Sequence, residues 1–314
     1  MNPNRYMVFG FQESGKTTFA AALWHLLDSR EIPTVLIKGK HVGEFSYLEG
    51  IAQSWCEGWR VERTGDQLED IQINLCHRRS GTELVLEFTD LPGEKFEKAF
   101  STRLCTPALV DLVKEASGLL LFVSADRYVD DVTILDALGA QPEEDEIAGV
   151  DHGSVDAGSA ESAATSGSGD GKPATSASSE PPWDPDKTPL QVRLVDLLQA
   201  MQVEPFGQKP FKVAVIVSAW DLTVENSAEA WLAKRYPLLD QFLRNGQGAS
   251  EVRVYGVSAQ GGPLSKRGEP PSPDRERLLA LNHASERIEI VGLNARAHDL
   301  TCPLLWLSGL DKQD

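Results

Sequence analysis

"GFQESGKTT", residues 10–18, emerges from the apolar run "RYMVFGF" and leads into "KTTFAAALWHLLDSR", a stretch with helical patterning. Gly10, Gly15, Lys16 and Thr17 fall at the fixed places of G-x-x-x-x-G-K-[ST]. Two glycines let a backbone curl until successive N–H groups point inward, which makes a cradle for phosphate oxygens. The helix that starts at the end of the loop adds first-turn N–H groups and the positive end of its dipole. Strand, loop and helix in this order are the context the motif requires. The stretch therefore reads as an anion cradle and not as a plain glycine turn.

The roles within it divide by residue. Gln12, Glu13, Ser14, Gly15, Lys16, Thr17 and Thr18 supply the amides that would surround the anion. The Lys16 side chain can reach the β- and γ-phosphates of a nucleotide, and the Thr17 hydroxyl can ligate Mg²⁺. Glu13 places a negative charge in the same loop.

Working outward, the patterning predicts a strand over 5–11, a helix over 15–30, a short strand-like "IPTVLIKG" and a helical piece over 43–58. Two strands follow, "EDIQINLCHR" and "TELVLEFTD", joined by the turn "RSG". A helical stretch over 94–116 leads to the apolar strand "GLLLFVSA". The pattern then collapses into Ser, Gly, Ala, Asp and Glu, and between 151 and 182 the only large apolar residue is Val155. Such a segment buries too little surface to offset its ordering entropy, so 141–188 reads as a disordered acidic insertion. The fold resumes with a helix over 189–203, the strand "KVAVIVSAW", a helix over 227–245 and the strand "EVRVYGVSA". A Pro-rich loop and a last helix near 301–310 close the pattern. Residues 1–140 and 189–314 are thus two parts of one domain around the insertion, with no internal repeat. Strands alternate with helices, and several strands are apolar throughout. That is an α/β fold with a mostly parallel sheet covered on both faces.

Ligands of such sheets bind at the carboxyl ends of the strands, and three further motifs sit at such ends. "FTDLPGEKF" carries Asp90 and Gly93 in D-x-x-G spacing. A carboxylate there can hold Mg²⁺ through a water, and the glycine N–H can meet a γ-phosphate; alone, the same spacing also makes a turn. In "VIVSAWDLT", Asp221 can accept from the N1 and N2 hydrogens of guanine, or can serve as a turn or helix N-cap residue. In "YGVSAQ", Ser258 and Ala259 can set a backbone N–H against the guanine O6.

In this order the residues resemble the P-loop GTPases of the translation-factor and Ras-like class, from residue 5 to about 259. The phrases "SGKTTFAAALWHLL" and "HDLTCPLLWLSGL" also look like bacterial GTPase domains of conflict, or defence, systems, some of them called double-GTPases. The resemblance implies a Rossmann-like P-loop GTPase sheet, GTP/GDP and Mg²⁺ as ligands, and a molecular switch that hydrolyses GTP slowly. It implies Lys16 and Glu94 as catalytic residues, Glu94 standing where Ras-like members carry a water-orienting Gln. A carboxylate there would repel the γ-phosphate, act as a base, or point to solvent. The Mg²⁺-binding switch Thr should precede the strand pair, which selects Thr64, so the metal set is Thr17, Thr64 and Asp90. Arg60, Arg63 and Arg103 lie near the expected switches and are candidates for a cis arginine. A protein partner or effector, a second GTPase among the candidates, would dock on the switch face of 60–66 and 90–104.

The sequence departs from the family pattern on the base side. Ser218 and Ala219 replace the family's Asn/Thr and Lys, and Gln260 replaces its last Lys. Trp220 either stacks on the base in place of that Lys or belongs to the core. Guanine is favoured, and an adaptor that binds nucleotide with little turnover, or a P-loop ATPase or kinase, is the alternative.

The bulk numbers agree with this reading. The 314 residues carry a formal net charge of −17, which argues against nucleic acid or an anionic membrane as a general partner. Cys56, Cys76, Cys105 and Cys302 are scattered with no C-x-x-C, which speaks against zinc and for a reduced compartment. No signal-peptide h-region and no 18-residue apolar run occurs, so the expectation is a cytoplasmic chain without a membrane span.

Overall fold

A computed structural model describes residues 4–41, 45–62, 71–88, 93–126, 185 and 188–312, the side chains of 93–97 excepted. The element order is β1 Asn4–Phe9, α1 Lys16–Ser29, β2 Leu36–Lys38, α2 Ser46–Cys56, β3 Ile71–His77, β4 Glu83–Phe88 and α3 Gly93–Thr102. There follow α4 Pro107–Glu115, β5 Ala116–Ser124, α5 Leu190–Ala200, β6 Lys212–Ser218, α6 Ala228–Arg235 and α7 Pro237–Arg244. β7 Glu251–Ser258, α8 Pro273–Leu279, β8 Glu289–Gly292 and α9 Cys302–Leu307 complete the chain. Thr64, Asp90 and Arg63, and all of the expected insertion save residues 185 and 188, lie outside the described residues.

The eight strands form one sheet in the order β2-β3-β4-β1-β5-β6-β7-β8. β4, β1, β5, β6 and β7 run parallel, while β2, β3 and β8 add antiparallel edges. The sequence accounts for the two covered faces. Along β1, Tyr6 and Val8 point into one core with α1, α2 and α9, and Met7 and Phe9 point into the other with α4 to α7. β5 and β6 alternate in the same way, Leu120, Phe122 and Ile216 on the first face, Leu121, Val123 and Val217 on the second. A strand buried on both faces has no polar side to show, which is why these runs are apolar throughout.

Four expectations about elements need correction. The helix expected over 94–116 is two, α3 and α4. Arg103 takes a left-handed φ of 58°, and Thr106 is extended ahead of Pro107, its hydroxyl capping the Leu109 N–H at 3.3 Å. A residue before proline is driven out of the helical region, so the pattern cannot continue through it. Pro237 splits the helix expected over 227–245 in the same way, into α6 and α7. The Pro-rich loop contains α8 and is followed by β8, a strand not foreseen. The strand expected to reach Trp220 ends at Ser218, because Ala219 turns the chain at φ 52° into a 3-10 turn over Trp220–Leu222.

α2 is fixed at its carboxyl end by a buried cation. The Arg287 guanidinium donates to the carbonyls of Trp55 at 2.9 Å, Cys56 at 3.0 Å and, from α8, Leu278 at 3.2 Å. Carbonyls at the end of a helix lack partners within it and carry the negative pole of the dipole, so a cation suits them. Among the described residues no helix is long and apolar enough to cross a membrane.

Candidate nucleotide site

The carboxyl ends of β1, β5, β6 and β7 open on one cavity of about 550 Å³. Its floor is the loop 10–15. Gly10 lies so close to β5 that a Cβ there would sit 2.8 Å from the Phe122 carbonyl oxygen. Gly15 takes φ +88°, and a Cβ there would meet Ser218 at 2.7 Å. Both positions of the motif thus require glycine for reasons visible in the packing. Gly15 precedes α1 without a side-chain cap, and Thr17 and Thr18, whose first-turn N–H groups have no acceptor inside the helix, line the cavity. Lys16 is buried, and its ammonium donates to the Gly10 and Phe11 carbonyls at 2.7 Å each and to Ser14 Oγ at 3.2 Å. A cation held on the loop's own carbonyls beside open helical amides fits a phosphate chain.

The loop is braced from below. Ser218 Oγ lies 2.9 Å from the Ser14 carbonyl and 3.2 Å from Ser124 Oγ, and Ser124 in turn donates to the Asp126 carboxylate. Ser218 therefore meets the loop's backbone at the cavity floor, a place the sequence did not assign to it. Asp221 stands exposed on its 3-10 turn and lines the same cavity, as does Ala259. Ser258 is not in the lining; its buried hydroxyl accepts the Gly261 N–H at 3.1 Å and so shapes the turn that presents Ala259. From the other side, the fully buried Trp55 donates its indole N–H to the Ala259 carbonyl at 2.8 Å. Trp55→Phe is expected to lower stability by about 1–3 kcal/mol, because the Ala259 carbonyl would lose its partner in a packed site. Urea unfolding measures this, and an unchanged midpoint would refute the brace.

Of the remaining expected residues, Gln12, Glu13, Ser14, Gly15, Lys16, Thr17 and Thr18 all line the cavity. Gly93 opens α3, and the side chain of Glu94 lies outside the described residues. Trp220 belongs to the core: it packs on β7 where a Cβ on Gly256 would lie 2.4 Å from its ring. Gln260 spends its amide on the Gly262 carbonyl at 2.8 Å. Arg60 lines the cavity; Arg103 does not, being paired with Asp196 on α5 and set 5.1 Å from the Phe100 ring. The lining also includes Glu62, Asp126, Leu222, Leu264 and Lys266, to which no motif points.

A parallel core with the antiparallel strands β3 and β2 added beyond β4, a glycine loop with a buried lysine, and turns at the ends of β6 and β7 that reach the same cavity define a P-loop GTPase. The chain matches the family model described as Double-GTPase 1 over residues 7–307, and it belongs to that family. It is accordingly a GTP-binding, switch-like protein. Among solved structures it is similar to the Arl6 BBS3 small GTPase from Trypanosoma brucei with bound GppNp, at 10% identity and TM-score 0.33 over 82% of this chain and 88% of that one. It is also similar to the signal recognition particle receptor SRb-GTP/SRX complex from Chaetomium thermophilum, at 11% identity and TM-score 0.37 over 84% and 94%. A third is the S. cerevisiae Ski7 GTPase-like domain bound to GTP, at 12% identity and TM-score 0.38 over 90% and 50%. No curated protein matches the chain.

Proposed function

We propose that the chain is a Mg²⁺-dependent molecular switch that binds GTP in this cavity and hydrolyses it slowly to GDP and phosphate. The observation that carries the reading is the convergence on one cavity of Lys16 and its loop, the Asp221 turn and the Ala259 turn. Lys16 and the loop amides would meet the phosphate charge, in-line attack by water being the reaction. Thr17, at the start of α1, is the described member of the expected Mg²⁺ set; Thr64 and Asp90 lie outside the described residues. When bound, the ion would offset charge on the phosphate oxygens. Asp221 and Ala259 would read the base edge. Switch loops ordered by the γ-phosphate and released after hydrolysis would present the face of 60–66 and 90–104 to a protein partner. Leu104, 72% exposed at the end of that face, is an apolar contact such a partner could cover. A cytoplasmic chain serving a bacterial defence system is the setting this reading favours.

The reading is tested by titrating the chain with GTP, GDP and ATP in the presence and absence of Mg²⁺, followed by analysis of the products. Asp221→Asn is expected to weaken GTP by about tenfold or more, since one unpaired polar edge costs about 1–3 kcal/mol. The same variant should gain affinity for xanthosine triphosphate, whose added carbonyl suits an amide donor. Equal binding of ATP and GTP by the wild type, or unaltered discrimination in the variant, would sink the base-reading assignment. A nucleotide-binding adaptor with little turnover is the second reading, favoured by Arg103 being held on Asp196 away from the cavity.

A further inference from the structure

The cavity has a roof made from two distant pieces of chain, and none of the motifs accounts for it. Residues 57–62, leading out of α2, lie against residues 265–275, which follow the Ala259 turn. The Arg60 N–H donates to the Ser265 carbonyl at 2.9 Å. Lys266 Nζ lies 2.9 Å from the Glu62 carboxylate. Behind this pair the contact is anchored further. Arg267 pairs with Glu57, 210 positions away in sequence, and Arg275 donates to the Glu57 carbonyl at 3.0 Å while its guanidinium sits 4.2 Å from the Trp59 ring. Arg60, Glu62, Leu264 and Lys266 all line the cavity that holds Lys16 and Asp221. Leu264 and Lys266 follow the Ala259 turn directly in sequence, which sets this half of the roof beside the turn that the proposed function assigns to the base.

We infer that Arg60–Glu62 and Ser265–Lys266 form a clasp over the nucleoside part of the bound nucleotide, with Glu62 and Lys266 as positioning residues that slow its release. This rests on the proposed function. Two features suit a clasp. The anchor behind it is several contacts deep, so the strap stays in place when its tip opens. The tip itself is an ion pair whose side chains are 48% and 49% exposed, and such pairs are weak enough to open without unfolding anything. On this inference a ligand leaving the cavity would part these two side chains or displace the segment that carries them.

The test is the dissociation rate of a fluorescent GDP analogue from the full chain with Mg²⁺, chased with excess unlabelled GDP. Glu62→Ala and Lys266→Ala are each expected to speed release about 2- to 5-fold, the range set by an exposed pair. The double variant should be no faster than the singles, because both remove one interaction. The charge swap Glu62→Lys with Lys266→Glu should bring the rate back toward wild type, which a merely structural role for either residue would not do. Unchanged rates in both singles, or additive effects without rescue by the swap, overturn the clasp while the wild type still holds nucleotide. A wild type that holds no labelled GDP overturns the proposed function and the clasp together.

Discussion

Lys16→Ala is expected to weaken GTP binding by roughly 30- to 5,000-fold, the equivalent of about 2–5 kcal/mol for truncating one member of a buried, hydrogen-bonded charge pair. The ammonium is buried and held by the Gly10 and Phe11 carbonyls at 2.7 Å each. Its removal takes away the cation that would meet the β- and γ-phosphates and also the tie that keeps the two ends of the loop together. The loop keeps a second brace from Ser218 to the Ser14 carbonyl at 2.9 Å, so the fold should survive. Calorimetric titration with Mg²⁺–GTP, alongside a melting curve of the nucleotide-free variant, separates the two effects. A variant that melts like wild type and binds like wild type would show that the phosphate site lies elsewhere.

The second large effect concerns rate. On the proposed function, the isolated chain turns over GTP far more slowly than about 1 s⁻¹, and a partner that contributes an arginine in trans raises the rate about 10³–10⁵-fold. Of the three arginines near the expected switches, Arg103 is committed to Asp196, and Arg63 lies outside the described residues. Arg60 reaches the cavity, but its backbone is tied to Ser265 at the base end. Glu94, second residue of α3, brings a negative charge where a neutral amide serves Ras-like members. Single-turnover kinetics on the purified chain decides the matter. Fast intrinsic turnover that disappears in Glu94→Gln would make Glu94 a catalytic base and the partner unnecessary. Turnover near zero with every candidate partner would favour the adaptor reading.

What the sequence revealed and what it hid follow from the range of the interactions. The loop 10–17 and α1 are local, their residues adjacent, so the spacing alone identified them. The two covered faces were legible because every residue of β5 from Gly118 to Ser124 is buried, and a one-sided strand would have shown polar positions. The break between α3 and α4 was marked locally by Thr106-Pro107, a signal that the run of helix-forming residues on either side covered over. β8 is only four residues long and earns its pairing from β7, which no local pattern encodes. The same holds for the site. Asp221 and Ala259 sit beside motifs, whereas Glu62 and Lys266 meet only because the chain returns past α2 after β7. Ser218 was picked out by its position in a motif; it lines the cavity, and its contact with the Ser14 carbonyl is a link no local pattern encodes.

The seating of Trp220 on Gly256 has a consequence for how the family can diversify. The two residues fit as peg and notch, one on the 3-10 turn after β6 and one on β7, with 2.4 Å between the ring and the place a Cβ would occupy. Neither can drift alone. A relative that gains a side chain at the notch must carry a smaller peg, and one that loses the peg has room to fill the notch. Because the peg is the residue immediately before Asp221, each such exchange would retilt the carboxylate that the proposed function assigns to the base. On the proposed function, base preference could then change through this pair while Lys16 keeps its two carbonyl partners on the glycine loop.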